Sequence, residues 1–333
     1  MTTRELDLLG ITDPAVRQSY LFTSRLLREK AKARQMPSMV RYMAPIEKRL
    51  YLETLFTFIT HVDDIVDHRV HSIPVREHRM DEWEAMFARA ARDQLPAAGT
   101  LSSDDEETHA HVARAFVHTM RTFGQPLDEV PPYVAAQRKT LTTTEYATEK
   151  ELADFIDTVT LLPSSWVNAI LEPITPESNV LCRRAATAFQ LIDFILDVRE
   201  DLAQGRLYIP LDRLAKYGLD RASLEHQLGA GPIGEGLRAL MAAEIELAKE
   251  TYEAGRDWPK SVQPVSRAFA EWDYHTNGLK LDALIKANGE HLRPGFRMNP
   301  AVTIKVMVRM YADIAKGVRS DLRVRRGKRA VGR

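Results

Sequence analysis

The sequence predicts an all-α protein in which helices pack as a bundle. Apolar residues recur at intervals of three and four along nearly all of the 333 residues, the spacing of helices with one buried face. Strand-type alternation bounded by Asn-Gly or Asp-Gly turns is nearly absent. With 44% hydrophobic residues, the chain has enough apolar material for a large core.

Helical windows follow in order along the chain, separated by segments that end helices. The clearest breaks are residues 93–105, where Pro, Gly, Ser and acidic residues cluster, and residues 205–210, where a Gly precedes an extended segment. Neither break has the composition of an interdomain linker, so we expect residues 1–315 to form one domain. The predicted helices are Asp13–Arg34, Pro45–His68, Arg76–Arg92, Glu107–Phe123, Val130–Thr142, Glu149–Leu171, Ser178–Gln204, Ala222–Gln227, Gly234–Ala254, Lys260–Asn288 and Pro300–Val318.

Overall composition excludes several functional classes. The 46 basic and 46 acidic side chains balance, so charge gives no support for nucleic-acid binding or for a general role on acidic membranes. The chain has one cysteine, Cys182, no run long enough to span a membrane and no signal-peptide pattern at its start, which leads us to expect a cytoplasmic protein without an integral membrane segment. Residues 316–333 are strongly basic and are expected to form a solvated, flexible tail.

The first unusual segment is a carboxylate cluster inside an apolar helix. Asp63 and Asp67 are four residues apart and therefore share one helix face, within reach of a common ion. Alone, this D-D-x-x-D pattern more often marks a helix end whose acidic side chains simply reach water.

A second cluster changes that balance. Asp193, Asp197 and Asp201 fall at i, i+4 and i+8 of another apolar helix, where like charges repel and burial increases the cost. Divalent cations would remove this cost. All-oxygen ligands favour Mg²⁺ over zinc, which prefers His or Cys.

Two such clusters facing each other would form a metal-lined mouth for a diphosphate. Heterolysis of an allylic C–O bond places charge on the departing diphosphate, and the remaining carbocation needs an apolar cavity that excludes water. One and two turns before the first aspartate of each cluster stand the residues expected to line that cavity, although each could equally be ordinary core: Phe56, Ile59, Ala186 and Phe189.

The segment after the second cluster reads Gly205-Arg206-Leu207-Tyr208-Ile209-Pro210. A Gly that ends the helix lets the chain turn back over the site, where Arg206 would offer a planar fork suited to phosphate.

Together these motifs resemble the squalene/phytoene synthase family. The matching segments are residues 62–67, residues 189–210 and, more loosely, residues 4–7 and 10–14. The resemblance implies an all-α isoprenoid-synthase fold around a central cavity and Mg²⁺ bound by the five aspartates. It also implies diphosphate contacts from Arg49, Arg206 and Tyr208.

Departures from the family pattern bear on which molecule accepts the prenyl group. Thr60 and Leu196 stand where the family has Arg, and other departures are Met36-Pro37-Ser38, Thr140, Phe155, Ser164 and Asp193. A site with fewer cations suits one diphosphate, with dimethylallyl or geranyl diphosphate favoured, and a neutral aromatic acceptor. This pattern resembles the phytoene-synthase-like enzymes that prenylate an aromatic acceptor such as a carbazole, in preference to phytoene or squalene synthesis. A head-to-head synthase joining two prenyl diphosphates and a terpene cyclase remain as alternatives.

Overall fold

The computed structural model describes residues 2–33, 37–67, 70–96, 100–229, 231–293 and 308. In these ranges the chain forms α-helices and no β-strand, which confirms the predicted all-α class. The predicted helix Pro300–Val318 and the basic tail lie outside the described residues, apart from residue 308. The helices are α1 Thr2–Leu8, α2 Pro14–Ala33, α3 Pro37–Met43, α4 Arg49–Asp67, α5 Ile73–Ala91, α6 Asp104–Thr122, α7 Val130–Lys139, α8 Glu149–Val159, α9 Leu161–Ile170, α10 Ser178–Ala203, α11 Leu211–Lys216, α12 Arg221–Gly229, α13 Glu235–Ala254 and α14 Arg267–Ala287.

Most predicted helices are present, with differences that have local causes. The window Glu149–Leu171 is divided into α8 and α9 at Thr160. Pro163 lacks a backbone N–H and its ring crowds the carbonyl of the residue four positions earlier, so one straight helix cannot continue through it. The short helices α1, α3 and α11 have six or seven residues and had not been predicted, because so few turns carry little periodicity.

The packing of α4 and α10 positions the aspartates. Helix α4 packs against α2 and α6, while α10 packs against α13, and α9 contacts both α4 and α10. The core below them is aromatic: Phe58 stacks on Phe116 with ring centroids 3.9 Å apart. Because α9 packs against both aspartate helices, it closes one side of the space between them.

Helix α10 ends at a glycine that redirects the chain. Gly205 has φ +83°, a left-handed conformation that residues with a Cβ adopt at a cost. The N–H of Arg206 then donates to the carbonyl of Asp201 at 2.8 Å, which turns the chain back toward the aspartates.

Candidate active site

A cavity of about 410 Å³ opens between the carboxyl-terminal half of α4 and helices α7 to α10. Its volume lies in the range of about 300 to 1,000 Å³ that is usual for sites binding small molecules. The lining combines carboxylates and amides near the opening with aromatic and aliphatic side chains: Ile59, Asp63, Val66, Asp67, Tyr133, Gln137, Thr140, Phe155, Val159, Thr160, Pro163, Gln190, Phe194, Arg206 and Tyr208.

The first aspartate cluster faces this cavity. Asp63 accepts a hydrogen bond from Nε2 of Gln137 at 2.8 Å, and Asp67 accepts one from Nη2 of Arg206 at 2.6 Å. Gln137 is buried and also donates to the hydroxyl of Tyr133 at 3.1 Å, so its amide is held in place from two sides. Gln137 belongs to a different helix, α7, and no sequence signal linked it to the aspartates.

The second cluster lies on α10 within electrostatic reach of the first. Nζ of Lys280 donates to Asp193 at 2.9 Å. Partial burial, followed by the charges of Asp193 and Glu200, raises the pKa of Asp197. Burial and then the charge of Asp197 raise the pKa of Asp201 to about 6, with Asp67 adding to the shift across the mouth.

These carboxylates have the donor chemistry of a hard-cation site. All five predicted ligands offer oxygen, and the pKa values of Asp197 and Asp201 are raised first by burial and then by neighbouring carboxylates, whose charge a divalent cation would offset. In the described ranges, no three His, Cys, Asp or Glu side chains converge into a ready-made metal site. The residues therefore fit Mg²⁺ in chemistry, while metal binding by the five aspartates stays a prediction.

The segment of residues 205–210 lies at the mouth, because the turn at Gly205 directs the chain back toward the aspartates. Arg206 lies beside Asp67, and Tyr208 stacks on Phe194 with ring centroids 4.3 Å apart and planes 6° from parallel. Phe155 and Tyr146 complete an aromatic group around Tyr208. In the sequence Phe155 stands out only as a departure from the family pattern, because residues on α8 and after α10 meet only in the folded chain.

Arg49 lies away from this group. It is the first residue of α4, 14 positions before Asp63, which corresponds to about 21 Å along a helix. Its Nη1 is 3.1 Å from Glu5, and Nη2 donates to the carbonyl of Ala44 at 3.1 Å. In this structure Arg49 joins the N-terminal helix to the start of α4, and its contact with diphosphate stays a prediction.

A second cavity of about 130 Å³, the deep cavity, lies below the first, the upper cavity. The two share Ile59 and Pro163. All four side chains expected to form a substrate pocket, Phe56, Ile59, Ala186 and Phe189, line it. Cys182 and Trp258 add to an apolar wall. The structure thus brings these residues together, and their contact with substrate stays a prediction.

The deep cavity also contains a carboxylate that had not been singled out from the sequence. Asp273, on α14, lines it beside the aromatic residues. Burial raises the pKa of Asp273 to about 6, an effect that Lys280 opposes and Asp193 reinforces. An isolated Asp in a helix gives no sequence signal of this kind.

The departures from the family pattern are distributed unevenly around the cavities. Thr140 and Phe155 line the upper cavity and Ser164 the deep one. Thr60 instead donates to the carbonyl of Phe56 at 2.9 Å, and Leu196 packs with the apolar cluster between α10, α13 and α14. Neither of these last two positions lines the upper or the deep cavity, so the loss of Arg there is weaker support for a neutral acceptor than the sequence suggested.

Comparison with known proteins decides the family. The model of the family "Squalene/phytoene synthase" matches residues 38–303, most of the chain. This protein belongs to the squalene/phytoene synthase family. Its members are prenyltransferases, so the predicted family and the predicted class of enzyme are both confirmed.

Two similar family members are phytoene synthases. The phytoene synthase of Arthrospira platensis is 25% identical over 267 residues, covering 75% of this chain and 79% of the relative. The 15-cis-phytoene synthase of Synechocystis sp. is 25% identical over 276 residues, covering 79% and 74% of the two chains.

Solved structures of family members show the same fold. The squalene synthase HpnC from Alicyclobacillus acidocaldarius superposes with a TM-score of 0.69 at 20% identity, covering 84% of this chain and 98% of that one. A dehydrosqualene synthase gives a TM-score of 0.68 at 16% identity, covering 92% and 98%. The isoprenoid-synthase helix bundle is thereby confirmed. None of the described helices is both long and apolar enough to cross a membrane.

Proposed function

We propose that this prenyltransferase ionises an allylic prenyl diphosphate at the mouth between α4 and α10, using Mg²⁺ held by Asp63, Asp67, Asp193, Asp197 and Asp201. One observation carries the proposal. Arg206, which follows the α10 cluster, contacts Asp67 of the α4 cluster at 2.6 Å, at the opening of a cavity whose deeper part is apolar. Bound Mg²⁺ would stabilise the charge that develops on the departing diphosphate.

The residues of the chain have separable roles in this reaction. Arg206 can exchange Asp67 for phosphate oxygens, because its guanidinium already lies at the opening. The stacked rings of Phe194 and Tyr208 present π faces along the cavity wall, which can stabilise a carbocation. Phe56 and Phe189, deeper still, would enclose the group that lies below the cation and keep water from the cation.

The comparisons favour a second prenyl diphosphate as the acceptor, in a head-to-head condensation. Similar relatives carry the names phytoene synthase and 15-cis-phytoene synthase, and a solved structural neighbour is a squalene synthase. On this ground head-to-head condensation is the first reaction to test, ahead of aromatic prenylation.

A neutral aromatic acceptor is the second candidate, and the charges around the cavity favour it. Among the side chains that line the upper cavity, Arg206 is the one with a permanent positive charge. Lys280 and Lys30, from neighbouring helices, are paired with Asp193 and Asp64. A second diphosphate would thus find few cations in the part of the chain that the structure describes, whereas a neutral ring needs none.

Product analysis separates these reactions. The purified protein is incubated with Mg²⁺ and dimethylallyl, geranyl, farnesyl or geranylgeranyl diphosphate, with and without a tricyclic or indole-like acceptor. Diphosphate release is measured together with product mass. A phytoene- or squalene-type hydrocarbon formed without acceptor supports condensation, a prenylated ring supports the aromatic reaction, and a cyclic hydrocarbon supports a cyclase. No diphosphate release with any donor would refute the proposed ionisation.

A further inference from the structure

Asp273 faces the deep cavity well below the mouth. On α14, Asp273 and Lys280 are seven positions apart, so they lie on nearly the same helix face, about 10 Å apart along the axis. Lys280 reaches Asp193 at the mouth, which places Asp273 some two turns deeper. The carboxylate therefore lies in the region where a hydrocarbon chain or an acceptor ring would be enclosed.

The polar neighbours of Asp273 leave it able to accept another hydrogen bond. Its Oδ1 receives one long contact of 3.3 Å from Nδ2 of Asn277, whose shorter bond of 3.0 Å goes to the backbone carbonyl of Asp273. Within the described residues Asp273 has no ion pair, since Lys280 is engaged with Asp193. The other donors of the cavity wall have partners: Trp258 donates to Asn168 and Cys182 to the carbonyl of Ser164.

If only hydrocarbon filled the deep cavity, burial of the Asp273 carboxylate would cost free energy. Phe56, Ala186, Phe189 and Trp258 form an apolar wall around it. A prenyl tail filling the cavity would strip water from Asp273 and return no hydrogen bond. A ligand with an N–H or O–H group would cover the same apolar wall and also pair the carboxylate.

We propose that Asp273 determines specificity by accepting a hydrogen bond from an N–H or O–H group of a neutral aromatic co-substrate whose ring occupies the deep cavity. The inference rests on the proposed ionisation of an allylic diphosphate at the mouth, which places the carbocation above this cavity. It gives the second acceptor candidate a chemical requirement: the ring must carry a hydrogen-bond donor on its buried edge. Two hydrocarbon tails carry no such donor.

Calorimetric titration with a matched pair of probes tests this requirement without turnover. Indole and benzothiophene are bicycles of nearly the same shape, and only indole has an N–H. Each is titrated into the full chain with Mg²⁺ and inorganic diphosphate present. The wild-type protein should bind indole at least about tenfold more tightly, the usual effect of a hydrogen bond to a charged group.

Two substitutions and a control locate the preference. Asp273→Leu keeps the approximate size and removes the acceptor, so both probes should bind within about threefold of each other. Asp273→Asn keeps a carbonyl and loses the charge, so the preference should fall without vanishing. Asp282→Leu, at an exposed position of the same helix, should keep the wild-type preference.

Equal binding of the two probes to the wild-type protein, binding of neither, or an unchanged preference in both Asp273 variants would overturn the proposal. Thermal unfolding monitors the fold, and if Asp273→Leu does not fold, the Asn variant decides. Diphosphate release is measured separately on the same wild-type sample. Absence of release together with an Asp273-dependent indole preference would refute the proposed ionisation and leave the ligand site standing, so the two failures are distinguishable.

Discussion

Arg206 donates a 2.6 Å hydrogen bond from Nη2 to Oδ1 of Asp67, a residue 139 positions earlier in the chain. This contact joins the end of α4 to the turn that follows α10, and the Asp67 carboxylate helps to raise the pKa of the Arg206 guanidinium further, although burial opposes it. A cation held by a carboxylate at the opening is positioned to exchange that partner for phosphate. The kinetic consequences of this arrangement can be tested directly.

Arg206→Ala should raise the KM for the allylic diphosphate by about tenfold or more and slow its ionisation, because a charge-assisted phosphate contact is lost. Arg206→Lys should restore only part of the loss, since lysine lacks the planar fork. Steady-state kinetics of diphosphate release measure both constants. Wild-type values of both constants in the Ala variant would show that Arg206 does not contact the diphosphate.

Asp63→Asn and Asp197→Asn should each reduce turnover by about a hundredfold or more, because a metal ligand supplies several kcal/mol of stabilisation to the departing charge. Chelation of Mg²⁺ should abolish turnover in the wild-type protein. The matched control is Asp154→Asn on α8, where the carboxylate is exposed and paired with Lys150. Near-normal rates in the two site variants at saturating Mg²⁺, with circular dichroism unchanged, would remove the aspartates from the metal site.

Arg49→Ala should affect stability and leave KM for the diphosphate within about twofold, in contrast to Arg206→Ala. Arg49 and Glu5 are 8% and 2% exposed, and removal of Arg49 leaves Glu5 with Arg41 at 3.1 Å. Because one cation remains, the loss should be up to about 3 kcal/mol, the lower end for a broken buried pair. Denaturant unfolding measures this change. A large rise in KM without destabilisation would instead support a contact between Arg49 and the diphosphate.

Asp273 should make stability depend on pH between about 4 and 6. Its folded-state pKa of about 6 exceeds the ordinary 3.8, first because of burial and then because of Asp193, while Lys280 opposes the shift. The folded state therefore holds the proton more tightly, and its stability falls as pH rises through this window, by up to about 3 kcal/mol. Asn277 also faces the carboxylate and is uncharged.

Asp273→Asn should remove this dependence. The free energy of unfolding of the Asn variant, relative to wild type, should increase from pH 4 to pH 6 and then level off. Urea unfolding at half-unit intervals of pH gives the two curves, and Asp282→Asn serves as the exposed control on the same helix. Curves that stay parallel across the window would show that Asp273 titrates normally.

Much of the candidate site was predictable because its signals are local in sequence. The spacing of Asp193, Asp197 and Asp201 places three carboxylates on one helix face whatever the helix packs against, and Gly205 at the end predicts a chain reversal. The substrate-pocket residues Phe56 and Ala186 followed from the same rule, because a helix face runs continuously from the aspartates into the core. These predictions needed only the geometry of a single helix.

Other parts could not be predicted, because they depend on which helices become neighbours. Gln137 reaches Asp63 from α7, the aromatic group around Tyr208 combines residues from α8, α10 and the loops, and Asp273 enters the deep cavity from α14. The contact of Arg49 with Glu5 is of the same kind, because Glu5 lies on α1 and Arg49 on α4.

The sequence by itself determined the helical class, the two aspartate faces, the turn after α10 and, through its motifs, the squalene/phytoene synthase family. Only the tertiary structure decided which side chains complete the mouth, that Thr60 and Leu196 lie off the cavities, and that a carboxylate lies among the aromatic residues below. The physical reason is the separation along the chain over which each interaction acts. Helix periodicity and turn chemistry act between residues a few positions apart, whereas the composition of a cavity is set by packing between helices distant in the chain.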